Sequence, residues 1–208
     1  MAELAGILGE LDGLQVETQK QRVRRRSRDF YWYSPILKRR LDHVTADAVV
    51  TVRDEEELLR VVRWAYAREV PLTVRGGGTG NYGQAMPLEG GVVVDLCELV
   101  RVKEIALGRV RVEAGAKLLD VDHACQAASG QELRFHPSTR ATGTIGGFVA
   151  GGSSGIGSVT HGLLRDPGNI LAARVVTMEP EPRVLELRGA EVQKVNHAYG
   201  TNGIITEL

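Results

Sequence analysis

The chain has 208 residues, enough for one large domain or two small subdomains with a buried core. Its 26 basic and 26 acidic side chains cancel, so no global field draws it to nucleic acid or to a membrane surface. Two cysteines, Cys97 and Cys125, are too few for a disulfide framework and read as reduced, buried thiols.

No apolar run approaches the length of a transmembrane segment, and residues 1–10 carry acids without the basic stretch of a signal peptide. A cytoplasmic protein is expected. Leu4, Ile7, Leu8 and Leu11 recur at helical spacing and predict a short amphipathic helix. The basic run Arg22, Arg24, Arg25, Arg26 and Arg28 reads as a solvated face, with an acidic partner or nucleic acid as the alternative. Phe30-Tyr31-Trp32-Tyr33, ahead of Ser34-Pro35, reads as packing onto the next domain, with a wall over a ligand's ring as the alternative.

From Ala46 the pattern becomes regular. Ala48 to Val52 predicts a strand. Asp54 suits a helix N-cap with Glu57 three residues on, and Leu58, Val61, Val62 and Ala65 form one apolar face of a helix to Arg68. Val70 to Val74 is the next strand, completing a βαβ unit, and Val92 to Leu96 adds another. Arg109 to Ala114 alternates like a half-buried strand, and Leu118, Val121, Cys125 and Ala128 mark a helix over Lys117 to Ala128. Asp122 and His123 lack a third ligand at metal spacing and are expected on the surface. Further strands at Ile170 to Met178, Val184 to Leu187 and Gly203 to Leu208 suggest an antiparallel second subdomain. The expected organisation is α+β: an extension over 1–43, a first subdomain over 44–97 and a second over 98–208.

Two stretches stand apart by their glycines. In the first, Arg75 opens a cluster of Gly76, Gly77, Gly78, Gly80 and Gly83. Glycine tolerates positive φ and carries no Cβ, so successive N–H groups can converge on an anion, and the Arg75 guanidinium would add charge at the mouth of the loop. Strand polarity places this loop beyond the carboxyl end of a strand, where α/β sheets bind ligands. Gly78-Thr79-Gly80-Asn81-Tyr82-Gly83 has GxGxxG spacing, but Pro87, Gly90 and Gly91 follow before the next strand, so no crossover helix fits and a Rossmann reading fails. A plain glycine-rich surface turn is the bland alternative.

The second stretch runs from His136 to Gly157 and is too glycine-rich to predict a stable helix. It also carries the hydroxyls of Ser138, Thr139, Thr142, Thr144, Ser153 and Ser154. Two such clusters on different subdomains suggest one extended polar ligand clamped between them, of dinucleotide size.

These residues resemble the FAD-binding domain of the vanillyl-alcohol oxidase type, also called the PCMH-type domain, of glycolate oxidase and D-lactate dehydrogenase. The resemblance runs from about Thr45 to Leu208. It rests on Pro71 to Gln84, on Val112-Glu113-Ala114-Gly115, and on Pro137-Ser138 leading to Thr144-Ile145-Gly146-Gly147. It continues through Ala150, Gly155 and His161-Gly162 to Tyr199-Gly-Thr-Asn-Gly-Ile204-Ile205-Thr206.

The resemblance implies FAD held between two subdomains. Arg75, Gly76, Gly77, Gly78, Thr79, Gly80, Asn81, Gly83 and Gln84 would form the pyrophosphate loop. Pro137, Ser138, Thr142, Ile145, Gly146 and Gly147 would line the diphosphate and one side of the flavin. Ser154, Gly155 and Gly157 would lie close to the ring, Ile205 would meet the adenosine end through its backbone, and Ala150 and Ile204 would be further cofactor contacts. Covalent relatives place a histidine where this chain has Thr79, so noncovalent FAD is implied. His161 stands where relatives often carry tyrosine and is a candidate proton carrier, a structural histidine being the alternative. His136, just before Pro137-Ser138, is the other histidine considered for such a role.

Family enzymes continue past this last strand into a substrate-binding domain, whereas the sequence stops at Leu208. Three readings stay open. One is the FAD-binding portion of a dehydrogenase or oxidase for a 2-hydroxy acid or related alcohol, its small-molecule substrate met by a further domain. Another is a non-catalytic or electron-transfer subunit working with a partner chain. The last is a binder of some other anion.

Overall fold

The structure, a computed structural model, describes residues 6–208. The chain divides into two compact units, one of residues up to Glu98 with Met178–Pro182, the other of Leu99–Thr177 with Arg183–Leu208. Among the described residues no helix is long and apolar enough to cross a membrane.

The first unit is built on a four-stranded sheet. Strands β1 (Gln15–Glu17), β2 (Ala48–Thr51), β3 (Leu72–Arg75) and β4 (Val92–Asp95) lie in the order β1-β2-β4-β3, with β2 and β3 parallel to β4 on either side. β4 therefore inserts between the two strands of the predicted βαβ unit. Ala48, Val50, Val92, Val93 and Val94 are fully buried, as expected of parallel strands covered on both faces. β1, not anticipated from the sequence, pairs antiparallel with β2 at the edge.

Among the elements this unit's described residues form are helices α1 (Lys20–Arg26), α2 (Pro35–Leu41) and α3 (Glu55–Ala67). α3 is the crossover between β2 and β3. Asp54 caps it by accepting the Glu57 N–H at 2.8 Å, and the Glu57 carboxylate turns back onto the Arg53 N–H at 2.8 Å. Its face of Leu58, Val61, Val62 and Ala65 is fully buried. Ser34 caps α2, accepting from Leu37 at 3.3 Å, with Pro35 in the first turn. Leu8 and Leu11 are buried, and the Trp64 indole donates to the Ile7 carbonyl at 3.1 Å. Leu4 lies outside the described residues.

In the second unit β5 (Val102–Ala106) and β6 (Arg109–Val112) form a hairpin, and β7 (Ala172–Val176), β8 (Val184–Arg188) and β9 (Ile204–Glu207) form an antiparallel sheet in the order β8-β7-β9. The two are stitched where Val112 and Leu208 exchange backbone hydrogen bonds at 2.8 and 2.9 Å. β5 carries no strand signal in the sequence, since Lys103-Glu104 and Ile105-Ala106 pair like with like in place of alternation. Helices α4 (Leu118–Ser129), α5 (Ile145–Gly151) and α6 (Ser158–His161) complete the unit. Its core gathers Leu118, Phe135, Phe148, Val149, Ala173, Val175 and Ile205.

Two expectations are corrected here. Asp122 is buried, 3% exposed, rather than on the surface. Positions 118, 121, 122 and 125 are one helical face, so Asp122 falls inside the apolar stripe of α4, and its carboxylate accepts the Leu133 N–H at 2.8 Å. His123, one residue on, is exposed. The second glycine stretch does form a helix, α5. The Thr144 hydroxyl accepts the Gly147 N–H at 3.2 Å at its start and Gly152 closes it in the left-handed conformation. Capping and burial of Phe148 and Val149 outweigh the poor propensity of its glycines.

Candidate functional site

In the first unit the chain leaves β3 at Arg75 and turns through Gly76 to Gln84 without regular structure. Among the described residues the N–H groups of Gly76, Gly77, Gly78, Thr79, Gly80 and Asn81 find no acceptor within the chain. Six successive free donors at the carboxyl end of a buried sheet are what an anion needs. Gly78 has φ +63°, a conformation that favours glycine.

The loop's frame comes from the N-terminal segment. The Gly80 carbonyl accepts the Phe30 N–H at 2.7 Å. Asp29, buried, accepts the Tyr31 N–H at 2.8 Å on one oxygen and the Gly83 N–H at 2.9 Å on the other. Burial pushes the Asp29 carboxyl above its ordinary value, against those backbone donors and the Arg75 charge. The Gln84 amide oxygen accepts the Tyr82 N–H at 2.8 Å.

Arg75 is buried, not at the loop's mouth. Its Nη1 donates to the Arg28 carbonyl at 2.6 Å, and the guanidinium lies against the backbone of Gly78. The expectation failed because a guanidinium at the end of a strand between Asp29 and Asp95 finds counter-charges inside the fold. Of the basic run, Arg22, Arg24, Arg25 and Arg26 are exposed, as a solvated face requires; Arg26 also pairs with buried Asp95 at 3.1 Å and half-buried Arg28 with Asp42 at 3.1 Å. Tyr31 is fully buried, its hydroxyl donating to Asp42 at 2.9 Å, while Trp32 and Tyr33 stack beside it in the open. Cys97 lies next to Asp95: burial, then the Asp95 charge, push its thiol up to about 12.

In the second unit Pro137 and Ser138 lead into a turn where the Thr142 hydroxyl donates to the Thr139 carbonyl at 3.3 Å. The N–H groups of Ile145 and Gly146 are already spent on the carbonyls of Ala116 and Ala114, both at 2.8 Å. They fix α5 against the Ala114–Ala116 segment rather than standing free. Gly146 is obligatory, since a Cβ there would sit 2.6 Å from the Ala114 Cβ. Gly147 is exposed at the first turn of α5, and Ala150 accepts the Tyr199 N–H through its carbonyl at 3.0 Å. The Ser154 hydroxyl accepts the Leu164 N–H at 2.7 Å, and Gly155 and Gly157 pack on the backbone of Arg134 to Pro137. His161 is exposed at the end of α6, its ring edge-on to Phe135 at 6.3 Å. Ile204 and Ile205 are buried in β9, opposite Val176 and Val175.

Asp29 and Arg28 were missed from the sequence. Nothing local marks them, because their partners lie about fifty residues away in the chain.

Residues 46–187, more than half of the chain, match the family described as FAD binding domain. The chain belongs to that family. FAD is therefore the cofactor of this FAD-binding chain, and the resemblance to PCMH-type flavoproteins holds. It is 30% identical over 78% of its length to D-lactate dehydrogenase of Anaerostipes hadrus, and 32% identical over 57% to D-lactate dehydrogenase of Archaeoglobus fulgidus. It is 30% identical over 66% to glycolate oxidase subunit GlcD of Escherichia coli K12. The chain spans 35%, 26% and 27% of those proteins respectively. Its fold is that of alkyldihydroxyacetonephosphate synthase, with TM-score 0.81, 24% identity, and coverage of 98% of this chain and 39% of that one. The Physcomitrella patens BBE-like 1 protein matches with TM-score 0.77, 19% identity, and coverage of 98% and 43%.

Proposed function

We propose that this chain is the FAD-binding portion of an oxidoreductase that takes a hydride from a 2-hydroxy acid or related alcohol, with FAD held noncovalently. The observation that carries the reading is the row of six unpaired N–H groups from Gly76 to Asn81, which suits a pyrophosphate. Asp29 and Arg75 hold that row open from behind, so no reorganisation is needed when an anion arrives. Pro137, Ser138 and Thr142, followed by the α5 start at Gly147, are offered as the second set of contacts. When bound, FAD supplies the hydride acceptor at N5, and the protein supplies orientation and electrostatics. Thr79 has no nucleophilic nitrogen to bond a flavin, which supports a noncovalent cofactor. The 2-hydroxy acid class is supported by the D-lactate and glycolate named for its relatives.

A second reading has its own support. The word subunit in the name of the E. coli relative fits a chain that works with a partner or with a further domain supplying the substrate-binding groups.

The test is the visible absorption of the purified protein, before and after acid precipitation. A flavin spectrum that moves wholly to the supernatant, with the released cofactor identified as FAD by chromatography, is expected. Colour left in the pellet overturns the noncovalent assignment. Anaerobic bleaching by D-lactate or glycolate supports the substrate class; bleaching by neither, in a protein extended to the length of its relatives, refutes it.

A further inference from the structure

Asp122, Glu132 and His136 bring one ligand atom each to within 4.8 Å of one another in the second unit. Asp122 projects from the buried face of α4, and Glu132 and His136 come from the irregular segment that follows the helix. We propose that these three side chains form a site for a divalent transition-metal ion, with zinc the best match.

Two details point to a ligand rather than to a chance meeting. His136 Nε2 is buried yet has no hydrogen-bond partner, an orphaned polar atom of the kind that folded proteins avoid. It lies 3.4 Å from Asp122 Oδ1, placed wrongly for a hydrogen bond. Two ligands each about 2.1 Å from a tetrahedral zinc ion stand about 3.4 Å apart, so the spacing suits two atoms sharing one metal.

The charges agree. Asp122 is a buried carboxylate that no lysine or arginine pairs with among the described residues, and Glu132 adds a second negative group at the open side. A cation between them relieves both. The Leu133 N–H donated to Asp122 at 2.8 Å orients its carboxylate, as outer contacts commonly do for metal ligands. An imidazole with two carboxylates suits zinc over magnesium or calcium, which prefer all-oxygen sites. Glu132 is exposed, which gives the ion an entry path and leaves a coordination position for water.

A metal here ties α4 to the segment entering Pro137 and Ser138, so it would brace that segment in the apo and flavin-loaded protein alike. The assignment does not depend on the flavin reading.

The untagged protein, stripped with chelator and dialysed against zinc chloride, tests it by elemental analysis and thermal melting. One zinc per chain and a raised melting temperature are expected, both unaffected by millimolar magnesium. His136→Gln should weaken zinc binding at least about tenfold, the scale on which even supporting contacts act. Glu132→Gln should weaken it too, while His161→Gln leaves it unchanged. Because Asp122→Asn also disturbs the Leu133 contact, the exposed Glu132 variant and the His136 variant carry the test. Zinc absent from the dialysed wild type, or bound equally well by the His136 and Glu132 variants, overturns the site.

Discussion

A β-carbon on Gly78 would lie 2.0 Å from Nη2 of Arg75. The glycine loop and the arginine that precedes it are therefore packed as one piece, with the guanidinium filling the space behind the turn. Gly78→Val faces two penalties: displacement of a buried guanidinium, and a φ of +63° that costs an L-residue roughly 1–2 kcal/mol. The variant should purify without flavin colour. The cause is separable. In an Arg75→Ala, Gly78→Ala double variant the clash disappears, so its loss of melting temperature should be smaller than the sum of the single losses. Additive losses would mean that Gly78 protects cofactor space and not Arg75.

Asp29 joins the N-terminal segment to the loop through Tyr31 and Gly83. Asp29→Ala leaves two backbone donors without their partner, at about 1–3 kcal/mol where such groups stay buried. The loop should loosen before the sheet does. Flavin affinity is thus expected to fall further than thermal stability, and Asp29→Asn, which keeps one acceptor oxygen, should lie between. Equal retention of FAD by wild type and Asp29→Ala, measured by equilibrium dialysis, would remove Asp29 from the loop's support.

What could be read in the sequence was what is local. Asp54 with Glu57, the apolar face from Leu58 to Ala65 and the valines of β2 and β4 state their roles within a few residues, and the helix and strands follow. Gly76 to Gly83 announces a loop by the same rule. Arg75 did not reveal that it turns inward, because the Arg28 carbonyl that receives it is supplied from 47 residues earlier. Asp122 was misplaced because a carboxylate in an apolar stripe is costly unless the fold brings it donors, and its donor, Leu133, is beyond the helix. α5 was missed for a related reason: its cap is local and visible, but the Ala114 backbone that demands Gly146 is not.

Gly146 offers a contest of two magnitudes. Alanine improves helix propensity by about 0.8–1 kcal/mol over glycine. The new Cβ, however, would lie 2.6 Å from the Ala114 Cβ and 2.9 Å from its carbonyl oxygen, and backbone cannot swing aside. Overpacking of this kind costs about 1–3 kcal/mol, so the clash should win. Gly146→Ala is expected to lower the melting temperature, and adding Ala114→Gly should recover part of the loss. A variant as stable as wild type would mean that α5 can shift away from Ala114.

Glu113 and Glu207 face each other as bridge partners, both buried, a pairing of like charges that destabilises unless cations intervene. Arg101 pairs with Glu113 at 2.8 Å, Lys103 reaches both carboxylates, and Arg111 holds Glu207. Burial alone would raise the Glu207 carboxyl; hydrogen bonds and charge from Lys103 and Arg111 outweigh it and hold the group below the ordinary 4.5. A depressed carboxyl favours the folded state while ionised. Its contribution is therefore complete above about pH 4.5 and is lost as pH falls through the lower folded value. Asp29 acts in the opposite sense: its raised carboxyl contributes stability below the ordinary 3.8 that is lost as pH rises through the folded value. Chemical denaturation of wild type and Glu207→Gln separates the two. The variant should be the less stable at pH 7, and the gap should close as the buffer is taken below pH 4.5. A gap that stays constant across that range would show that Glu207 contributes through packing and not through its charge.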